Sequence, residues 1–161
     1  MKEEAAIIGA LLDERLIVLD ANVNSDEDCI RLMATRFEES GYVMPGYGDA
    51  VIERERTLPT GLPGKKINLA IPHTNNKLVI RPAVGVIIPR KPVEFHMMGD
   101  KETTLNCEII LPLVVKDSKQ QIGMLKKIMK IIQNSELLEK LKDSKSKAEI
   151  MQCLNSLEDE S

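Results

Sequence analysis

The run Asn68-Leu69-Ala70-Ile71-Pro72 constrains the fold more than any other stretch of the chain. It is too short for a helix and suits a buried strand, and the proline that closes it has no N–H to give to a further ladder bond. His73 therefore stands where a strand empties into the polar, turn-prone segment Thr74-Asn75-Asn76. One side of that imidazole is held by a rigid element and the other is open to solvent or a partner, which is where loops place chemistry.

Other short apolar runs repeat the pattern. Leu16–Leu19, Val84–Ile88 (ended by Pro89), Val93–Phe95 and Cys107–Val115 read as strands, with Pro112 marking an edge or a bulge in the last. Helical segments separate and follow them. Asn24, Ser25, Asp26, Glu27 and Asp28 crowd caps and negative charge at one helix start; Ile30, Met33, Ala34 and Phe37 form its apolar face, and Gly41 ends it. A shorter helix runs from about Asp49 to Arg56, with Val51 and Ile52 inward and Arg54 and Arg56 near its C-terminal end. Thr57–Lys66 is a loop punctuated by Pro59, Gly61, Pro63 and Gly64, and Gly99-Asp100-Lys101 is a turn.

The final third is helical. Ile122, Leu125, Ile128, Met129 and Ile132 share one face, opposed by Lys126, Lys127 and Lys130, and Ser118 and Gln121 stand at capping-box spacing at the start. Leu137, Leu138 and Leu141 belong to a short helix; Ser146 and Glu149 are a second capping-box pair before a helix carrying Ile150, Met151, Leu154 and Leu157. Periodicity leaves Met1–Leu12 as a helix or a docked arm. The expectation is one α/β domain over residues 1–161, with a core from about 16 to 154 and a mixed sheet of about five strands flanked by helices.

Composition narrows the function. Phe37, Phe95, Tyr42 and Tyr47 are all the aromatic residues, so aliphatic side chains must build the core and base stacking has little to work with. The net charge of −3 comes from interspersed acids and bases, with no basic field to draw nucleic acid or membrane. Cys29, Cys107 and Cys153 are odd in number and far apart, as expected of reduced thiols in a cytoplasmic protein. Two glutamates follow Lys2, and the first apolar stretch soon meets Asp13-Glu14-Arg15, a poor match to a secretory signal. The apolar run Ile109–Val115 is too short to cross a bilayer.

Only His73 and His96 are histidines, and with three scattered cysteines they show no metal-ligand spacing. His96 reads as a surface or packing residue. No nucleophile elbow, Walker loop or dinucleotide fingerprint is present, and Gly61, Pro63 and Gly64 only loosely mimic a phosphate loop. His73 is left as nucleophile or base, or else as a structural strand-end histidine.

The surrounding residues bear on that choice. Arg54-Glu55, then Pro59-Thr60-Gly61, then Ala70-Ile71-Pro72-His73 resembles the enzyme IIA domains of the fructose–mannitol class in the bacterial sugar phosphotransferase system, most of all the galactitol branch. The segment from Val84 to Phe95, the strand at Ile109–Val115 and the helix start after Asp117 fall in the same order, so the likeness spans roughly Leu16 to Leu154. The resemblance implies that His73 takes a phosphoryl group from the phosphocarrier HPr and passes it to a cysteine of enzyme IIB, which works with a membrane IIC component in taking up a galactitol-like sugar. It implies that Arg54 steadies the phosphate, with Thr60 and Gln121 as weaker supporting residues, and that no metal or organic cofactor takes part. Gln121 stands where many relatives carry a second histidine. Leu58, Leu62, Ile71 and Leu78 are expected on the apolar docking rim. Two alternatives stay open: a regulatory protein whose His73 phosphorylation controls a partner, and a binding domain that has lost phosphorylation.

Overall fold

The computed structural model describes residues 12–74 and 76–159. Strand β1 (Ile17–Ala21) is followed by helices α1 (Asp26–Glu39) and α2 (Tyr47–Thr57), then by β2 (Gly61–Leu62), β3 (Asn68–Ala70), β4 (Ala83–Val84), β5 (Val86–Pro89), β6 (Val93–Met97), β7 (Asp100–Ile110) and β8 (Leu113–Val114). Helices α3 (Ser118–Gln133), α4 (Ser135–Asp143) and α5 (Lys147–Asp159) complete the described chain. The expected start at Met1–Leu12 falls, but for Leu12, outside the described residues, as do the side chains of Ser118 and Leu157.

The main sheet has six strands in the order β1-β5-β7-β3-β2-β6, and β4 pairs with β8 in a second, two-stranded sheet. The sheet is mixed: β1–β5, β3–β7 and β2–β6 are parallel, whereas β2–β3, β5–β7 and β6–β7 are antiparallel. Because β6 pairs with both β2 and β7, the ladders β7–β3–β2–β6–β7 form a closed circuit. β7 carries that circuit. Its C-terminal half lies between β3 and β5, and its N-terminal half forms a hairpin with β6, running from Val93 opposite Cys107 to Met97 opposite Asp100.

Alternation along the strands sends side chains to two cores. Leu69, Ile71, Val86 and Ile109 pack on one face with Ile128 of α3, Leu141 of α4 and Ile150 of α5. Ala70, Ile87 and Ile110 pack on the other with Met33 and Phe37 of α1 and Val51 of α2. Each fully buried aliphatic side chain contributes about 1.5–3 kcal/mol, so three layers around one sheet follow from the period-two pattern. The Ser25 side chain caps α1 by accepting from the Asp28 N–H at 3.1 Å. Ser146 likewise accepts from the Glu149 N–H, although the returning Glu149 carboxylate meets the Lys145 N–H.

Several elements differ from the sequence reading. Gly61–Leu62 is a strand inside the expected loop, held by β3 on one side and β6 on the other. Val84–Ile88 is divided at Gly85 between two sheets. β7 begins at Asp100, seven residues before the apolar run, and the turn sits at 98–99; the exposed half of the hairpin has no hydrophobic alternation to announce it. Pro112 ends the long ladder before β8, and its carbonyl accepts from the Gly85 N–H. On α3 the buried face is Met124, Ile128, Ile131 and Ile132, while Ile122 and Met129 stand 57% and 45% exposed. That helix has more apolar residues than one stripe can cover.

Candidate functional site

His73 sits just beyond β3, on a backbone that stays paired past the strand's formal end. The Leu111 N–H donates to Ala70 O and the Leu113 N–H to Pro72 O, so the segment leading to His73 is pinned to the chain beyond β7. The Tyr47 hydroxyl donates to Leu113 O at 2.8 Å and ties α2 to the same strand.

The imidazole is 3% exposed and polarised by two contacts. Nδ1 lies 2.6 Å from Ile71 O, and a carbonyl can only accept, so Nδ1 bears the proton. Nε2 therefore keeps its lone pair, and Nη1 of Arg54 donates to it at 3.2 Å. Burial holds the imidazole pKa below its ordinary value; the Arg54 charge acts in the same direction and the Ile71 carbonyl against it. The ring is thus a neutral base near pH 7 with a single available lone pair.

His73 and Arg54 open on a cavity of about 560 Å³. Thr60, Gln121 and Leu125 line it, together with Leu58 and the hairpin tip from Met98 to Glu102. All four sequence-predicted site residues, His73, Arg54, Thr60 and Gln121, therefore meet at one cavity. The helix start that carries Gln121 brings it there: its N–H donates to Asp117 O in the first turn of α3.

Thr60 is 1% exposed, and both its donors go to one neighbour. Its N–H donates to Oε2 of Glu55 and its hydroxyl to Oε1, each at 2.8 Å. Burial raises the Glu55 carboxyl from 4.5 to about 7, against the pull of the two Thr60 bonds. Glu55, next to Arg54, has no role of its own in the sequence reading. In the fold the two point apart, Arg54 to His73 and Glu55 to Thr60. Their adjacency on a helix end was the available signal, since consecutive helical side chains diverge by roughly 100°.

The remaining candidates fall elsewhere. His96 lies on the exposed face of β6 with Nδ1 2.8 Å from Lys101 O, and Arg56 pairs at the surface with Glu27. Cys29 and Cys107 are buried, each pushed up to about 12 by desolvation. Among the described residues, no group of three or more His, Cys, Asp or Glu is arranged to hold a metal ion, and no helix is long and apolar enough to cross a membrane. The expected docking rim needs correction. Ile71 and Leu62 are core residues and Leu78 is half-buried; only Leu58 is exposed, at 57%. Ile71 points into the core on the same face as Leu69, two residues before it. Exposed apolar surface at the cavity comes instead from Leu58 and Met98, while Ile122 and Met129 are exposed on α3, the helix that brings Gln121 and Leu125 to it.

Residues 10–157 match the family model described as phosphoenolpyruvate-dependent sugar phosphotransferase system, EIIA 2. The chain belongs to this EIIA family. It is 25% identical over 157 residues to the mannitol-specific EIICBA component of Pasteurella multocida, covering 96% of this chain and 24% of that protein. The chain thus spans about a quarter of the length of that relative. It is 26% identical over 101 residues to the galactitol-specific EIIA component of Escherichia coli, covering 63% of this chain and 67% of that one. The EIIA fold is also that of enzyme IIA mannitol in its complex with phosphorylated enzyme IIB mannitol from Escherichia coli, with a TM-score of 0.75, 19% identity and coverage of 90% and 97%.

Proposed function

We propose that the chain, read as one domain over residues 1–161, is a cytoplasmic phosphohistidine carrier that accepts a phosphoryl group from HPr on Nε2 of His73. It then passes the group to a cysteine of a IIB protein, coupled through a membrane IIC component to uptake of a galactitol- or mannitol-like substrate. The observation that carries this reading is the division of the ring: Nδ1 tied back to Ile71 O, Nε2 beside Arg54 at the cavity.

The chemistry follows from that division. The Nε2 lone pair attacks phosphorus; a new N–P bond forms as the bond to the donor breaks, and its electron pair returns to the donor. The ring then carries phosphate on Nε2 and a proton on Nδ1, and the Ile71 carbonyl stabilises the positive charge spread over it. When a thiolate attacks phosphorus in turn, the N–P pair returns to Nε2 and neutral imidazole leaves. The Nδ1 proton stays in place throughout. Arg54, released from the ring as phosphate arrives, is within reach of the phosphoryl oxygens as a planar fork donor. Thr60 shapes the wall of the cavity, its hydroxyl committed to Glu55. Gln121 can donate to a phosphate oxygen from the first turn of α3, where an anion also suits the helix dipole, but it supplies no charge. The apolar surface of Leu58 and Met98 at the cavity, with exposed Ile122 and Met129 on α3, is suited to partner docking.

A binding domain that has lost phosphorylation fits less well. Such a histidine is expected to be pinned by a carboxylate with no adjacent space, and His73 has a carbonyl partner and a cavity beside it. The test is incubation with phosphoenolpyruvate, enzyme I and HPr, followed by intact-mass analysis of wild type and His73→Ala. One acid-labile phosphate on wild type and none on the variant is expected; its absence from wild type with active HPr contradicts the carrier. Onward transfer to a IIB cysteine separates a transport component from a regulator that keeps its phosphate.

A further inference from the structure

Arg54 touches the His73 imidazole directly, while its neighbour Glu55 reaches the same ring by an unbroken series of hydrogen bonds. Glu55 accepts both the N–H and the hydroxyl of Thr60 at 2.8 Å. Thr60 O accepts the Ile71 N–H at 3.2 Å, and Ile71 O accepts His73 Nδ1–H at 2.6 Å. We propose that Glu55 is a positioning residue of the carrier site, whose carboxylate acts through Thr60 and Ile71 to hold the tautomer that leaves Nε2 free for phosphate. The proposal rests on the carrier reading above and assigns that site a residue remote from the transferred group.

The residue type suits the task. Thr60 presents two donors from one residue, and a carboxylate offers each its own oxygen. Glu55 is 6% exposed, so when one oxygen takes a proton a Thr60 donor loses its partner with no water to replace it. The groups facing Glu55 do not supply a substitute. Asp26 of α1 adds negative charge, Arg54 on the same helix opposes it, and the Cys107 thiol of β7, pushed up to about 12, stays neutral. Anchoring of the loop therefore weakens as the carboxylate takes up its proton near pH 7.

The experiment uses the full chain labelled with 15N-histidine, as wild type, Glu55→Gln and Glu55→Asp. Imidazole 15N shifts report the tautomer across about pH 6 to 8, and the rate of phosphate acceptance from HPr is measured on the same samples. Wild type is expected in the Nδ1–H form above neutrality, drifting toward a mixed or protonated ring as pH falls. Glu55→Gln should show mixed tautomers already at the upper end and lose about ten- to a hundredfold in kcat with KM for HPr retained, as displacement of a reacting group does. Glu55→Asp should recover part of both. Thr60→Val, which deletes only the hydroxyl bond, should shift the ring the same way to a smaller extent and serves if Glu55→Gln fails to fold. Imidazole signals in these variants identical to wild type overturn the proposal, whatever the rates. A wild type that takes no phosphate while its ring sits in the Nδ1–H form overturns the carrier reading instead, and the spectra still judge Glu55.

Discussion

His73 Nδ1 lies 2.6 Å from the carbonyl oxygen of Ile71, two residues earlier in the chain. That contact decides which nitrogen can act. It depends on the β3 backbone staying paired past Ala70, so the direction of the imidazole lone pair is set through the Ile71 backbone.

Arg54 donates to Nε2 of His73, and its replacement separates charge from geometry. Arg54→Met should slow phosphate acceptance by about 10²–10³, the usual scale for losing one preorganised charge donor. Arg54→Lys should recover only part, because an ammonium lacks the fork. The Arg54 charge also helps to keep the His73 pKa low, so Arg54→Met should raise it, measured by NMR titration. An unmoved titration and unchanged rate would remove Arg54 from the site.

Gly61 is fixed by close approach. A Cβ there would sit 2.6 Å from the His96 carbonyl oxygen, in the pairing that joins β2 to β6 and brings the hairpin tip to the cavity. Gly61→Ala should destabilise the fold by about 1–3 kcal/mol, the cost of forcing atoms into a packed site. Denaturant unfolding with an unchanged midpoint would contradict this packing.

Glu55 links stability to pH with a definite sign. Its folded carboxyl titrates near 7 against an ordinary 4.5, so between those values the folded state holds a proton that the unfolded chain has released. Its stabilising contribution is full below about 4.5 and is lost as pH rises through about 7. Glu55→Gln cannot titrate. The gap in melting temperature between variant and wild type should therefore move in the variant's favour from pH 5 to about pH 7.5. A constant gap would mean that Glu55 does not hold its proton in the fold.

Leu58, which lines the cavity, and Ile122, next to Gln121 in the chain, are each 57% exposed. Ile122→Asp and Leu58→Asp should leave unfolding within about 0.5 kcal/mol of wild type. Each should raise KM for a protein partner by about tenfold in phosphoryl-transfer kinetics, if these side chains meet it. Wild-type KM in both variants would move the docking surface elsewhere.

Much of the site was readable from the sequence because its signals are local. Pro72 closes a strand and puts His73 at its end, Ser25 marks the start of α1, and Arg54, Thr60 and Gln121 come from the resemblance to the enzyme IIA motifs. What escaped depends on pairing that the residues' own pattern does not announce. Gly61–Leu62 is a strand because β3 and β6 flank it, the outer half of β7 is a strand because β6 pairs with it, and Glu55 matters because the loop folds back onto it. The rotation of α3 was misjudged for a related reason. Seven-residue spacing joins Ile122 and Met129 equally well to an inward or an outward stripe, and only packing against β3 and β7 picks out Met124, Ile128 and Ile131.

The most direct test of the central claim is to phosphorylate 15N-histidine-labelled protein through enzyme I and HPr and identify, from phosphorus–nitrogen coupling, the nitrogen that carries phosphate. The account predicts a single phosphohistidine, at His73, bonded through Nε2 with Nδ1 still protonated. Phosphate on Nδ1, on His96, or on no histidine at all would contradict it.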